Sequence, residues 1–456
     1  MSGSSRDLPK IAIVVSNLFH ARSVLETPLI QSLQDSFEVV VCCTQEVFET
    51  YEEVLSQQEY RLFQIEKRAE ILSNRIMNAG AFRYRNKSKS FRYRVTRRIT
   101  ESTRISKNRL SIFSLEKFSK VLIWLKLFID GLILYRIYLI PRYRKILDSN
   151  SHFLKILQEV NPSASVIWSQ SMEPASSSAV RFSRKLDIPT ILIADNWDNL
   201  FSKTVLVEKP DLIGCFGMQG VEFGFKLHGI PARRIVALGS ARFEIYRGQK
   251  KVLSNADTIL YAGSSMLSED ERVLKVLLKV KKQFENDGDL RANLIWKYRP
   301  HPFPQQSKTN LEVILEEFKD LQVERTNEIT GSVQTWPKLT DSVAELARTR
   351  IAVCMPSSYL LEVRINAVKV IVPAFEDNSE MTSCKTLLSN LEHLNGLKGL
   401  AGVNIASSEA EIESRLIEAI RNPEFPPPDP SLDWFVQWSG EGFAENLTGA
   451  IQRIIQ

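Results

Sequence analysis

A chain of 456 residues exceeds what one hydrophobic core usually organises and points to two or three domains of roughly 150 residues each. With 44% apolar and 25% charged residues it has the make-up of a globular protein, which excludes a disordered or fibrous chain. Five cysteines with no C-x-x-C and no Cys/His pairing exclude a disulfide framework and a zinc site, and the N-terminus shows no export-signal pattern, so a cytoplasmic protein is expected.

The first elements alternate. KIAIVVS (10–16) reads as a strand, SVLETPLIQSLQD as a helix, and FEVVVCC (37–43) as a second strand. A basic block follows, an insertion at about 80–150. Between Arg83 and Lys145, eighteen Lys and Arg stand against Glu101, Glu116 and Asp130, although the whole chain carries a net charge of only +6. Within it, VLIWLKLFIDGLILYRIYLIPRYRK is apolar for a helix's length but broken by Lys126, Asp130 and Arg136. A spanning helix tolerates central charge poorly. One reading is an interfacial helix on an anionic membrane, with Arg92, Arg94, Trp124 and Arg142 as contacts to membrane or acceptor. The other is a helix buried against its domain. No nucleic-acid motif accompanies the charge, so nucleic acid is not an expected partner.

Beyond the block come ASVIWSQ (164–170), a helix around SSSAVRFSRKLD, PTILIAD (189–195), DLIGCFG, a helix from Gln219 to His228, and RIVALGS. A polar linker near Tyr246 leads to a second series: DTILYAGSS (257–265), a long helix, ANLIWKYRPHP, LQVERT, the helix DSVAELARTR, IAVCMPSS, the helix SYLLEVRINAV, KVIVPAF and EAEIESRLIEAIRN. Short apolar runs separated by helical stretches are what parallel α/β sheets produce. The expectation is two doubly wound Rossmann-like domains facing a cleft: residues 1–245 on the acceptor side, with the basic helical insertion, and 246–456 binding the nucleotide donor.

In such sheets ligands bind beyond the carboxyl ends of strands. In the second half those ends carry Gly263, Ser264 and Ser265, then Arg299 and His301 in a proline-stiffened turn, then Ser357 and Ser358 opening a helix. Helix-opening amides, a guanidinium and an imidazole together suit a phosphate. The serines also suit plain helix capping. His228, before Gly229, reads as structural.

These segments carry a resemblance. KYRPHP resembles the histidine-proline motif of GT-B nucleotide-sugar enzymes with cytidine-nucleotide donors, a group of bacterial sialyltransferases, Kdo-type capsule transferases and CDP-glycerol glycerophosphotransferases. MPSSYLLEVRINAVKVIVP, KLHGIPARRIVALGSARFEIY and ADNWDNLFSKT are similar to further segments of those families, together covering roughly residues 185–375. The resemblance implies a GT-B-type fold, donor phosphates held by His301 and Ser357/Ser358, and Glu362 near the nucleotide ribose or base. Arg299 intervenes where the shorter motif would run, and the acidic base motif of the sialyltransferases is not evident.

A proton acceptor is then expected from the first half. His20, in SNLFHARSVLETP, is the first candidate, as a neutral imidazole makes a base near pH 7. Asp195 and Asp198, in ADNWDN, are its rivals, and Glu173 is weaker. No D-x-D carboxylate pair suggests a metal, and no cofactor is expected beyond the activated donor itself. The expectation is a glycosyltransferase moving a sugar, CMP-activated by preference, to a surface-polysaccharide or lipid-linked acceptor, at the inner face of the membrane. A CDP-glycerol-type polyol-phosphate transferase, a UDP-sugar epimerase and a non-catalytic scaffold are the alternatives.

Overall fold

The computed structural model describes residues 8–107, 113–169, 173–249, 256–263, 267–301, 316–323, 338–375 and 383–456. They form two compact units. The first runs from the N-terminus to Glu244 and takes back Leu391–His393 and Asp433–Gln456; the second holds Ile245–Asn390 and Leu394–Leu432. The 246–456 half of the sequence reading thus returns its last helix, Phe443–Ile455, to the first unit, where Phe443, Leu447, Ala450 and Ile451 join the core. The returning backbone passes Gly217 so closely that a Cβ there would lie 2.6 Å from the Phe435 carbonyl carbon.

The first unit is a seven-stranded parallel sheet: β1 (Lys10–Val15), β2 (Glu38–Cys43), β3 (Glu59–Leu62), β4 (Ala164–Ser169), β5 (Thr190–Ala194), β6 (Leu212–Cys215) and β7 (Ile235–Ala237), in the order β3-β2-β1-β4-β5-β6-β7. Its inner strands are mostly apolar because helices cover both faces, while the edge strand β3, EYRL, is only half-buried. Ile11, Ile13 and Val15 feed one core layer, while Ala12 and Val14 feed the other. The order reverses between β1 and β4, which are in register from Ile11 opposite Ala164. Such a reversal opens a crevice at the strands' carboxyl ends.

The second unit repeats the plan with six parallel strands: β8 (Thr258–Ala262), β9 (Ile295–Arg299), β10 (Gln322–Val323), β11 (Thr349–Cys354), β12 (Lys369–Pro373) and β13 (Val403–Ala406), in the order β10-β9-β8-β11-β12-β13. Its reversal lies between β8 and β11. Two Rossmann-like units of this kind are the fold expected from the sequence.

The insertion is helical: Lys67–Tyr84, Lys89–Lys107, Phe113–Phe128, a π-helix at Ile129–Leu139, and Ile140–Ser149. Buried residues recur every fourth position, at Leu127, Gly131, Tyr135, Leu139, Tyr143 and Leu147. An α-helix repeats every 3.6 residues, so a period of four drifts around it; the wider π turns hold the stripe straight. Arg75 clamps this rod through two bonds to the buried Asp130, at 2.8 and 2.5 Å. Of the two readings of the apolar segment, the buried helix holds along one stripe, and the opposite face is exposed. Among the described residues no helix is long and apolar enough to cross a membrane.

Candidate functional site

In the first unit the loops after β1, β4 and β5 meet. Asn17 caps the Leu18–Leu25 helix, its side-chain oxygen accepting the His20 amide at 3.0 Å. That cap turns the His20 ring inward, where it is wholly buried, with Nδ1 3.5 Å from the Ser16 hydroxyl and Nε2 3.7 Å from Glu173. Burial, reinforced by the Arg242 charge, pushes the imidazole down to about 3. His20 therefore stays neutral, its contact with Glu173 is not an ion pair, and it is too weak a base for the role expected of it near pH 7.

Asp195 takes the opposite course. It sits directly beyond β5, 1% exposed, and accepts a 2.8 Å hydrogen bond from the Ser23 hydroxyl. Burial raises its carboxyl, Arg242, Ser23 and Arg22 pull it down, and it settles at about 7. A carboxyl poised there can take and return a proton at neutral pH. Asp198, three residues on, is a different kind of group. Burial opposes its ionisation, but Lys203, 3.0 Å away, and His393 outweigh burial and keep it below the usual carboxylate range. It is an ion-pair residue of its own loop.

Arg242 is the residue the sequence reading passed over. It follows β7, yet its guanidinium reaches back across the strand ends to lie 4.8 Å from the centre of the Phe19 ring. It is 5% exposed, and its Nε and Nη2 have no hydrogen-bond partner among the described residues. The signal was an arginine directly behind Gly239-Ser240-Ala241, in a segment quoted only for its resemblance. A buried cation beside a neutral imidazole and a half-titrated carboxyl forms a site able to hold a negatively charged group and move a proton.

These ionisations have a consequence for stability. Burial lowers His393 to about 4 and also depresses His228, as it does His20. Between pH 4 and 6.5 the unfolded chain binds protons on these imidazoles that the folded chain refuses, so stability rises with pH. Asp195 opposes the trend, because its raised carboxyl keeps a proton that the unfolded chain has lost. The expected net slope is about one to two protons, roughly 1–3 kcal/mol per pH unit. In thermal melts across this range, Asp195→Asn should steepen the rise by about one proton.

In the second unit, Gly263 follows β8, Arg299 ends β9 with His301 two residues on, and Ser357–Ser358 follow β11, the three strands being adjacent. The Gly263 amide donates to the Arg299 carbonyl at 2.9 Å. Beneath Gly263 lies Asp270, fully buried, which accepts the hydroxyls of Tyr261 and Tyr298 at 2.5 and 2.6 Å. A Cβ on Gly263 would stand 2.7 Å from that carboxylate. Ser264 and Ser265 lie outside the described residues. Ser357, in extended conformation, opens the Ser358–Ile365 helix without a side-chain capping bond, leaving its cap role to the backbone. Glu362 is buried and accepts the Tyr246 hydroxyl at 3.0 Å.

Two expectations are corrected by the contacts. Arg299 does not present an open fork to a phosphate: it donates to Glu345 at 2.8 Å and to the Tyr359 hydroxyl at 3.0 Å, and Lys297 pairs with the same carboxylate. Arg94 is not a surface contact, because it turns in to the carbonyls of Ser202 and Lys203, at 2.5 and 3.2 Å. Arg92 and Arg142 are exposed, the latter over the Tyr138 ring, and Trp124, 42% exposed, stacks on Phe128. Among the described residues no group of three or more His, Cys, Asp or Glu is placed to hold a metal ion.

No protein-family model matches the chain, and no curated protein matches it in sequence. Solved structures do match. The UDP-GlcNAc 2-epimerase of Methanocaldococcus jannaschii superposes with a TM-score of 0.52 at 12% identity, over 97% of this chain and 99% of that one. The Neisseria meningitidis UDP-GlcNAc 2-epimerase bound to UDP-GlcNAc gives 0.51 at 10%, over 97% and 100%. The S. aureus MnaA–UDP co-structure gives 0.50 at 13%, over 98% and 96%. At these identities the likeness establishes the fold, a GT-B-like pair of Rossmann units. It lends no support to the cytidine-donor families that the histidine-proline segment resembles.

Proposed function

We propose that this chain is an enzyme acting on a uridine-diphosphate-activated sugar, with Asp195 as the group that moves a proton. The observation carrying this reading is the fully buried Asp195 carboxyl, bonded to Ser23 and raised to about 7 despite the nearby Arg242 charge. Two of the fold neighbours named above are solved with UDP or UDP-GlcNAc, which supports a uridine rather than a cytidine donor. Inverting a carbon that bears hydrogen breaks a C–H bond and remakes it on the other face, so it needs a base and an acid but no acceptor. Asp195, kept available as a carboxylate by the Arg242 charge, would take the proton while the C–H electron pair expels the UDP oxygen from carbon 1, and UDP would add back as the proton returns on the opposite face. In the second unit, the amides opening the Ser358–Ile365 helix, with Gly263 and His301, would hold the diphosphate. Epimerisation is therefore the first reading. Sugar transfer to a lipid-linked acceptor is the second, favoured by the exposed apolar face of the insertion.

The test is incubation with UDP-GlcNAc in D2O, followed by proton NMR. Deuterium at carbon 2 with a second sugar epimer, in the absence of any acceptor, is the expected result. Exchange-free binding that turns over only when a lipid-linked acceptor is added would establish transfer instead. A folded protein that binds no UDP-sugar would return the scaffold reading.

A further inference from the structure

A cavity of about 430 Å³ opens within the first unit between the insertion and the Met218–His228 helix. Arg83, Lys87, Arg136, Lys209 and Lys226 line it, together with His228, Tyr84 and Tyr135, and none of its lining residues is acidic. Lys226 pairs with Glu222 at the rim, and Arg83 donates to the Gly131 carbonyl at 2.9 Å; the other three cations are exposed. His228 adds a second kind of group. Its Nε2 lies 2.8 Å from the Leu200 carbonyl, which can only accept, so the proton is on Nε2 and Nδ1 carries a lone pair. That Nδ1 is buried and has no partner among the described residues. Clustered cations with one buried acceptor suit a ligand that brings phosphate together with a hydroxyl.

The same π-helix that supplies Arg136 carries an exposed apolar face. Of seventeen exposed large apolar residues among those described, ten fall between Phe118 and Tyr138. Val121, Leu125, Ile129, Ile133 and Ile137 form one straight row, opposite the buried stripe. Monomeric proteins rarely leave so contiguous a patch bare.

We propose that the cavity binds the phosphate-bearing headgroup of an anionic membrane lipid while this apolar row lies in the bilayer interface beside it. The occupant follows from charge and continuity together: a basic pocket and an apolar row on one helix match a molecule with an anionic head and an apolar tail. The helix is too interrupted to span, so contact is with one leaflet. This inference is independent of the sugar chemistry.

Flotation with vesicles tests it, comparing equal parts phosphatidylcholine and phosphatidylglycerol with phosphatidylcholine alone. The full chain should bind the mixed vesicles, weakly or not at all the neutral ones, and less as salt rises. Ile133→Ser with Ile137→Ser, and separately Arg136→Glu with Lys209→Glu, alter exposed side chains and should leave the melting temperature unchanged. Each pair should weaken binding about tenfold or more, since one basic residue at an anionic surface counts for about a factor of five. Three results would overturn the proposal. One is no binding to either vesicle. Another is binding indifferent to Arg136→Glu with Lys209→Glu. The last is stabilisation by inorganic pyrophosphate without vesicle binding, which would make the ligand soluble. If the first result came with a concentration-dependent dimer abolished by the isoleucine changes, the row would belong to a second copy of the chain.

Discussion

Asp195→Asn is expected to reduce proton exchange from the UDP-sugar by two to four orders of magnitude, on the order of what a positioned general base contributes. Folding should survive, because asparagine keeps the shape and can still accept the Ser23 hydroxyl. In the wild type, activity should rise with pH towards a plateau above about 7, as the carboxyl ionises. Its neighbours make a sharper test. The Ser23 hydroxyl and the Arg242 charge both pull this carboxyl down. Ser23→Ala and Arg242→Gln should therefore shift the acidic limb to higher pH, Arg242→Gln the more. His20→Asn should leave the position of that limb nearly unchanged, because a neutral ring contributes no charge. An acidic limb that tracks His20 instead, with Asp195→Asn active, would sink the assignment.

Asp270→Ala should be the most damaging single change in the second unit, costing about 3–5 kcal/mol, the range for leaving buried hydrogen-bonding groups unsatisfied around a lost charge. The tyrosine rings are stacked 5.4 Å apart and fully buried, so both hydroxyls lose the carboxylate that accepts them in a place remote from solvent. A fall in melting temperature of about 10 °C is expected for a unit of this size. Tyr261→Phe and Tyr298→Phe should each cost less, about 1–2 kcal/mol, because the other tyrosine still donates to the carboxylate. Asp270→Asn should fall between, since its amide can accept from one tyrosine and donate to the other. A double-mutant cycle with no coupling between Tyr298 and Asp270 would show that the hydroxyl bond contributes nothing to stability.

The fold was legible because parallel strands buried on both faces must be apolar throughout, and runs such as KIAIVV and KVIVP stand out against helical spacing. The positions of the site loops followed from topology alone. What was not legible was ionisation and partner choice. His20 and Asp195 both looked like bases; both are fully buried near Arg242, and the same burial that lowers the imidazole raises the carboxyl, while Arg242 lies more than two hundred residues from His20 in the chain. Arg299 read as a phosphate clamp because nothing near it in sequence reveals Glu345 as its partner. The basic insertion was misread at Arg94 for the same reason, while its apolar row was visible as composition but not as a face.

The return of the Phe443–Ile455 helix to the first unit sets the order in which this protein can be completed as it is made. Strands β1 to β7 leave the ribosome early, but the residues that close one side of their core are synthesised only after the whole second unit. The intervening second unit takes on the order of ten seconds or more to translate. Throughout that interval the layer around Val15, Trp168 and Leu238 lacks part of its cover. Until the Phe443–Ile455 helix emerges that layer exposes apolar surface, and a chain cut before Phe443 should be prone to aggregate rather than fold as a slightly shorter protein.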